Sequence, residues 1–210
     1  MEDNKTLKTG TTTLAMVCKD GLVVAADRRV TAGFFVMNKK YQKIQPINDD
    51  HIVTTAGSVS DIQLTVKIIK AQIKLDEIRR GKKLTTKEIA NLISGLNYSA
   101  LRSTFAISSF ILAGKDEKGL HVYTIEPAGS IIEIDDYVGD GSGMMFATGV
   151  FEANYKNDIS VDEGVKLIVK AVNAALQRDI YSGNGIDVIT ITNKGIKQVV
   201  DKELDTSLKV

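Results

Sequence analysis

The first quarter of the chain is rich in apolar and β-branched residues, which favour strands. Segments 12–17 and 22–27 flank an Asp-Gly step, and such a step between two apolar segments is typical of a β-hairpin. A looser stretch covers 28–38, and shorter strands are predicted at 43–47 and 51–55. The chain therefore begins as a predominantly β structure.

Helical periodicity replaces this pattern in the next two segments. The first has an apolar stripe at Ile62, Val66, Ile69 and Ile73. Ser60 and Gln63 have the spacing of a capping box at its start, and Gly81 is a suitable end. The second helix is predicted to start near Thr85, with Glu88 at the matching position of a capping box. Its apolar face carries Ile89, Leu92, Ile93, Leu96 and Ala100.

The second half of the chain repeats this order of strands followed by helices. Strands are predicted at 108–113, 120–125 and 130–134, and a closing hairpin at 186–192 and 196–200. The glycine-rich segment 139–143 precedes a helix that ends near Tyr155. Ser160 and Glu163 form a third capping-box pattern, ahead of a helix that continues to about Asp179.

Runs of strands that alternate with pairs of helices indicate an α+β fold, since a doubly wound parallel sheet would alternate single elements. Two sheets stacked between two helix pairs would bury every apolar stripe, although the order of elements alone does not require that arrangement. The chain contains no internal repeat and no linker long enough to divide it. A single domain is predicted.

Composition narrows the classes of function. The chain has 210 residues, 43% of them apolar, and a net charge of +1, so it can bury a core and gives no electrostatic reason to bind nucleic acid or an anionic membrane. No window approaches the roughly 18 apolar residues of a membrane span, and the polar first ten residues do not form a secretory signal. The single cysteine, Cys18, is expected to be packed and is compatible with a reducing cytoplasm.

Two local motifs invite a chemical interpretation, but neither supports one by itself. The segment 139–143 could cradle a phosphate, yet no Gly-Lys-Ser/Thr follows it, so a tight turn is favoured. Ser142 does not fit the Gly-x-Ser-x-Gly pattern of a nucleophile elbow, because Asp140 and Met144 stand where that pattern has glycine. The threonines 11–13, taken alone, indicate only β-propensity. With two histidines in the chain, no histidine-rich metal site is possible, and we expect no metal or cofactor.

Several short segments are informative about the family of the protein when their order and spacing are considered together. They are Thr-Gly-Thr-Thr-Thr at 9–13, Ala-Ala-Asp-Arg-Arg-Val-Thr at 25–31, Lys43, Thr-Ala-Gly at 55–57, Gly-Ser-Gly at 141–143, Val-Asp-Glu-Gly at 161–164, Gln-Arg-Asp at 177–179 and Ser-Gly at 182–183. In these segments the chain resembles proteasome β subunits, and most closely the archaeal ones. The resemblance implies the N-terminal nucleophile hydrolase fold, a four-layer αββα sandwich of two antiparallel sheets between helix pairs.

The resemblance also implies a set of site residues. The nucleophile is Thr11, released when the Gly10–Thr11 bond is cut, so that residues 1–10 are a propeptide and 11–210 the catalytic domain. The other implied catalytic residues are Asp27, Lys43, Gly57 through its backbone N–H, Ser142, Asp179 and Ser182. The implied substrate-binding residues are Val30, Thr31 and Thr55.

The expected chemistry is that of a threonine endopeptidase. A threonine hydroxyl needs a base, and a free α-amino group, with a pKa of about 7.7 to 8.0, can supply one. That amine exists only after Gly10 is removed. Lys43 would supply positive charge near the hydroxyl, and Asp27 would orient and neutralise Lys43, since a buried ammonium without a partner is costly.

The resemblance further implies a cytoplasmic particle. The expected partners are other β subunits in a heptameric ring, rings of α subunits, an unfolding ATPase that acts through the α rings, and unfolded protein substrates. Three alternatives stay open: a catalytically silent β-type subunit of a mixed ring, the bacterial two-component relative, and a small-molecule amidohydrolase. The intact Thr11, Asp27 and Lys43 argue against the first. The sequence does not determine which residue is preferred before the cut.

Overall fold

Two five-stranded antiparallel sheets form the body of the structure, a computed structural model that describes residues 10–104 and 107–204. In chain order the strands are β1 (Thr13–Cys18), β2 (Gly21–Asp27), β3 (Val30–Ala32), β4 (Phe35–Asn38), β5 (Ile44–Pro46), β6 (His51–Gly57), β7 (Ser108–Asp116), β8 (Gly119–Ile125), β9 (Ile131–Ile134), β10 (Tyr137–Asp140), β11 (Gly185–Thr192) and β12 (Gly195–Glu203). The helices are α1 (Val59–Arg80), α2 (Thr86–Thr104), α3 (Met144–Asn154) and α4 (Val161–Arg178).

Of the strands named above, ten form the two main sheets, and β3 and β4 pair separately. The first has the order β10-β1-β2-β11-β12, and the second has the order β5-β6-β7-β8-β9. Helices α3 and α4 pack on the first sheet, whereas α1 and α2 pack on the second. The result is the α+β, four-layer αββα arrangement that the resemblance implied, and the fold prediction is confirmed.

Alternation along the strands creates three apolar layers. On β1, Leu14 and Met16 point toward α3 and α4, whereas Ala15 points toward the second sheet. The layer between the sheets joins Leu22 and Val24 of β2 to residues such as Ile111 of β7. Because strand side chains alternate between faces, each strand contributes to two layers at once.

Two of the three predicted capping boxes are present. The Ser160 hydroxyl accepts a hydrogen bond from the Glu163 N–H, and the Glu163 side chain binds back to Ser160. Thr85 and Glu88 make the same reciprocal pair ahead of α2. The predicted box of Ser60 and Gln63 is wrong because α1 begins two residues earlier.

The start of α1 has no side-chain cap. Ser58 is the N-cap residue, and its side chain makes no capping hydrogen bond. The end of α1 agrees with the prediction, since Gly81 lies in the left-handed region at φ 66°. This conformation is one that glycine adopts without a steric penalty.

Two short strand pairings depart from the predicted pattern. The stretch 28–38 contains a separate hairpin, β3–β4. The edge strand β10 pairs with β1, so that Thr13 lies opposite Asp140. That pairing places the glycine-rich segment 141–143 directly beside the beginning of β1.

Candidate active site

Thr11 lies immediately before β1 and is 5% exposed. Its hydroxyl donates a hydrogen bond to the Gly10 carbonyl oxygen at 2.8 Å, and its N–H donates to Ser142 Oγ at 3.2 Å. In this uncut chain, the hydroxyl of Thr11 therefore lies beside the peptide bond that precedes it.

Asp27 and Lys43 form a buried ion pair next to Thr11. Lys43 Nζ lies 2.6 Å from Asp27 Oδ1 and donates a second hydrogen bond to the Gly10 carbonyl oxygen at 3.3 Å. The two side chains are 3% and 0% exposed. The ammonium of Lys43 and the hydroxyl of Thr11 thus converge on the same carbonyl oxygen.

The Asp27 carboxylate is satisfied on both oxygens. Oδ1 also accepts the Thr12 N–H at 2.8 Å, and Oδ2 accepts the N–H groups of Arg29 and Gly183 at 2.9 and 3.0 Å. A buried charge with this many donors is fixed in position. Asp27 therefore holds Lys43 at a defined distance from Thr11.

Burial lowers the pKa of Lys43 from its ordinary value, and this effect outweighs the carboxylate of Asp27, which acts in the opposite direction. The positive charge of Arg29 lowers the pKa further, whereas Asp179 raises it. A lysine in this environment can give up a proton more easily than one in water. It can therefore assist proton transfer from a neighbouring hydroxyl.

Asp179 connects two further hydroxyls to the beginning of β1. Its Oδ2 accepts hydrogen bonds from Ser142 Oγ and Ser182 Oγ, each at 2.6 Å. Ser182 Oγ also lies 2.6 Å from the Thr12 hydroxyl. The structure thus joins Ser142, Asp179 and Ser182 by hydrogen bonds, and Ser142 connects this group to the nitrogen of Thr11.

Close packing around Thr11 makes glycine necessary at two positions that lie against it, Gly10 and Gly141. A Cβ at Gly10 would overlap the Cβ of Tyr181. Gly141 has a φ of +89°, and a Cβ there would overlap the carbonyl of Thr11. The turn that carries Ser142 can therefore approach Thr11 only through backbone without side chains.

The predicted substrate-binding residues border the same depression as Thr11. It is lined by Gly10, Thr11, Arg29, Val30, Thr31, Tyr41, Lys43, Thr55, Gly57, Val59 and Ile62. Thr31 Oγ1 accepts the Gly10 N–H at 3.4 Å. Gly57, at the end of β6, has a φ of +121°, which few residues other than glycine adopt. Val30, Thr31, Thr55 and Gly57 thus all lie beside the Gly10–Thr11 junction.

Arg29 is part of the site but was not identified from the sequence. Its Nε donates to Asn184 Oδ1 at 2.9 Å and its Nη1 donates to the Ile180 carbonyl at 2.7 Å. Arg29 thereby fixes the segment after α4 that carries Ser182 and Gly183. The adjacent arginines 28 and 29 are a visible signal, but nothing in the sequence shows that the second one turns toward this segment.

Other chemically reactive groups lie away from Thr11. Cys18 is buried in the layer under α4, and burial, followed by the charges of Asp20 and Glu163, raises the pKa of its thiol to about 12. Within residues 10–104 and 107–204, no group of three or more His, Cys, Asp or Glu side chains could hold a metal ion. None of the helices in these two ranges is both long and apolar enough to cross a membrane.

Comparison with known proteins places the chain in a family. The family model for the proteasome subunit matches residues 7–191. The proteasome subunit beta of Archaeoglobus fulgidus is 42% identical over 199 residues, which cover 95% of this chain and 93% of that protein. The corresponding protein of Ferroglobus placidus is 40% identical over 95% of both chains. Proteasome subunit beta 1 of Thermococcus onnurineus is 39% identical over 95% of this chain and 97% of its own length. Since these identities extend over nearly the whole chain, the protein belongs to the proteasome subunit family and is similar to its archaeal β subunits.

Proposed function

We propose that this protein is a catalytic β subunit of the proteasome core, a threonine endopeptidase whose nucleophile is Thr11. One observation carries the proposal: the Thr11 hydroxyl and the Lys43 ammonium both bind the Gly10 carbonyl oxygen in the uncut chain. A hydroxyl, a carbonyl and a buried amine of lowered pKa within hydrogen-bond distance are the components of an intramolecular attack on a peptide bond.

Self-cleavage would begin with that attack. Thr11 Oγ1 forms a bond to the carbonyl carbon of Gly10 while its proton passes, through Lys43 or water, to the nitrogen of Thr11. The C–N bond between the two residues then breaks. The product is an ester between Gly10 and the Thr11 side chain, together with a free α-amine. Water hydrolyses the ester, which releases residues 1–10 and leaves Thr11 as the first residue.

Substrate cleavage would use the same hydroxyl with the new amine as its base. The amine, held by Ser142 with Asp179 and Ser182 behind it, takes the hydroxyl proton and later gives it to the leaving amine of the substrate. The backbone N–H of Gly57 would stabilise the oxyanion. Val30 and Thr55 would line the first specificity pocket, and the backbone of Thr31 would pair with an extended substrate.

Membership of this family implies assembly into a particle of many subunits. In our proposal the particle contains heptameric β rings between α rings, receives unfolded protein from an ATPase bound to the α rings, and acts in the cytoplasm. The relatives found here are named as proteasome β subunits, which supports the assignment to a β ring.

Substitution of Thr11 tests the proposal. Assembled particles that carry Thr11→Ala should lose hydrolysis of short fluorogenic peptides by at least about a hundredfold and should retain Gly10 in the intact mass. Thr11→Ser should keep part of the activity because the hydroxyl and the amine both remain. If the wild-type particle is inactive and uncut, the alternative of a silent structural subunit is correct. If Thr11→Ala particles hydrolyse peptides at the wild-type rate, the nucleophile lies elsewhere.

A further inference from the structure

Asp140 is an acidic residue near the site to which the proposed mechanism gives no part. It is the last residue of the edge strand β10 and directly precedes the turn that carries Ser142. Its Oδ1 accepts the Gly141 N–H at 2.7 Å, and its Oδ2 accepts the hydroxyl of Ser109, on β7 of the other sheet, at 2.6 Å. One carboxylate therefore joins this turn to the opposite layer of the sandwich.

Both ends of that connection lead to atoms of the candidate active site. On one side, Ser142 Oγ lies 3.2 Å from the nitrogen of Thr11, and the Gly143 N–H binds the Thr11 carbonyl at 3.2 Å. On the other side, β7 pairs with β6 in a register that places Ser109 opposite Ala56, the residue before Gly57. The link thus runs from the turn beside the nucleophile to the strand pair that holds the expected oxyanion donor.

Ser142 and Gly143 tie this turn to Thr11 and Asp179, and the link to β7 is a separate restraint that ties the turn to the second sheet. Ser142 is exposed and lies between two glycines, and β10 has a neighbouring strand on one side only. Glycines allow many backbone conformations in the absence of other restraints. A displacement of about 1 Å at a reacting group can reduce a rate by about a hundredfold.

We propose that Asp140 is a positioning residue of the reaction, which holds the Ser142 hydroxyl against the Thr11 nitrogen by tying its turn to β7. This role rests on the function proposed above. The carboxylate of Asp140 binds Gly141 and Ser109, so it acts on the reaction through the turn that carries Ser142. The full strength of the link requires the carboxylate form, since hydrogen bonds to a charged acceptor are roughly twice as strong as those to a neutral one.

The surroundings of Asp140 make this requirement sensitive to pH. Burial raises the pKa of Asp140, while the hydrogen bonds from Ser109 and Gly141 act in the opposite direction. A charged group that interacts with it is Glu126, directly after β8, whose pKa is raised by burial and by the charge of Asp140. As the pH falls, Asp140 gains a proton earlier than an exposed aspartate would. Activity should then decline in part, because the protonated acid keeps its two contacts without the charge that strengthens them.

The test compares Asp140→Ala, Asp140→Asn and Ser109→Ala in fully assembled particles, with Glu126→Gln as a control that removes a neighbouring carboxylate without removing the link. Asp140→Ala should lower kcat about tenfold to a hundredfold with little change in KM, and should slow the loss of residues 1–10. Asp140→Asn should keep an activity between those of the wild type and Asp140→Ala at neutral pH, because its amide can accept from Gly141 and donate to Ser109 but carries no charge. In a plot of kcat/KM against pH, the decline on the acid side should occur at lower pH for Asp140→Asn than for the wild type. Ser109→Ala should resemble a milder form of Asp140→Ala.

The outcomes separate this role from the proposed function. An inactive wild-type particle would refute the proposed function and this role with it. An active wild type, with wild-type kcat in Ser109→Ala and an unshifted decline on the acid side in Asp140→Asn, refutes the role of Asp140 alone. These two variants decide the question even if Asp140→Ala fails to assemble. An effect of equal size in Glu126→Gln would also overturn the proposal, since it would reflect local charge and not the link to Ser109.

Discussion

At the scale of single residues, Asp179 holds two hydroxyls through one oxygen. Oδ2 accepts from Ser142 and Ser182, and Oδ1 accepts the Tyr181 N–H at 3.2 Å. In Asp179→Asn, one of these positions becomes an NH₂ group, which cannot accept a hydrogen bond. We expect self-processing and peptide turnover to slow by about tenfold or more while particles still assemble. Measurement of kcat and of the processed fraction by mass spectrometry checks this.

The matched control for Asp179 lies on the same helix. Asp162 is exposed in the first turn of α4, where a negative charge stabilises the helix. Asp162→Asn removes the same charge without contact with Thr11, so kcat should be unchanged. If Asp179→Asn also turns over peptides at the wild-type rate, Asp179 has no part in the site.

Gly10 offers a second test, which separates processing from catalysis. A Cβ at position 10 would overlap the backbone-attached Cβ of Tyr181, and neither atom can turn away. Gly10→Ala should therefore displace the scissile carbonyl from the Thr11 hydroxyl and slow self-processing at least tenfold. Chains that do become processed have lost residue 10 and should show the wild-type kcat. The intact mass, followed over time after assembly, gives the processing rate.

Gly95→Ala is the control for Gly10→Ala. Gly95 lies on the exposed side of α2, where a Cβ would meet nothing within 4 Å. Alanine at this position favours the helix by about 0.8 to 1.0 kcal/mol and should leave processing unchanged. Normal processing of Gly10→Ala would show that the tight contact with Tyr181 does not restrain the scissile bond.

Residue identities in the site were predictable only through the resemblance to a family. Thr11 and Ser142 are separated by 131 residues, and Thr12 and Ser182 by 170. No spacing rule connects positions so far apart, since their contact depends on which strands pair. Arg29 shows the remaining gap, because its hydrogen bonds to the segment after α4 require the folded chain.

At the scale of elements, the two serines that the sequence placed in capping boxes provide a direct comparison. Ser160 caps α4 with a complete box, whereas Ser60 lies inside α1 and caps nothing. Ser160→Ala should lower the free energy of unfolding by about 1 kcal/mol because the N–H of Glu163 loses its acceptor. Ser60→Ala should change it by less than about 0.5 kcal/mol. Urea denaturation of both variants checks this, and equal effects would contradict the assignment of the caps.

Long elements with a clear period were predicted well, and short ones were not. The stripe of α1 is buried as expected at Ile62, Val66, Ile69 and Ile73. In contrast, β10 has four residues, all of them only partly buried. It is a strand because β1 offers a free edge, and that edge is far away in the sequence. The hairpin β3–β4 was missed because the exposed residues of β4 include apolar ones, with Phe35 70% and Met37 64% exposed, so the pattern of a half-buried hairpin is absent.

At the scale of the whole molecule, the four-layer arrangement follows from the need to cover every apolar stripe. Two helix pairs and two stacked sheets form three interfaces, and each interface is filled by its own cluster of buried apolar side chains. The order of strands within each sheet does not follow from that need. It places β11 beside β2 and β10 beside β1, and these two choices bring the turn at 141–143 and the segment after α4 to the same end of the sandwich.

The state of the assembled particle provides a further prediction. We expect the chain in assembled, natively expressed particles to begin at Thr11, with residues 1–10 removed. The reason is that the components of cleavage already lie together in the uncut chain, with Gly10 buried among them. Intact mass spectrometry checks this directly. Fully assembled particles whose chains still begin at Met1 would contradict self-processing.

The same geometry predicts that each chain cuts itself. The hydroxyl of Thr11, the ammonium of Lys43 and the carbonyl of Gly10 all belong to one chain, at 2.8 and 3.3 Å. The junction is also buried, with Thr11 5% exposed, so the nucleophile of a neighbouring subunit cannot reach it without local opening. In particles assembled from wild-type and Thr11→Ala chains together, the wild-type chains should begin at Thr11, whereas the variant chains should retain Gly10. A mass tag on the variant distinguishes the two populations in one spectrum. Variant chains that begin at residue 11 beside active neighbours would show cleavage between subunits, and the convergence on the Gly10 carbonyl would then have to be explained without intramolecular attack.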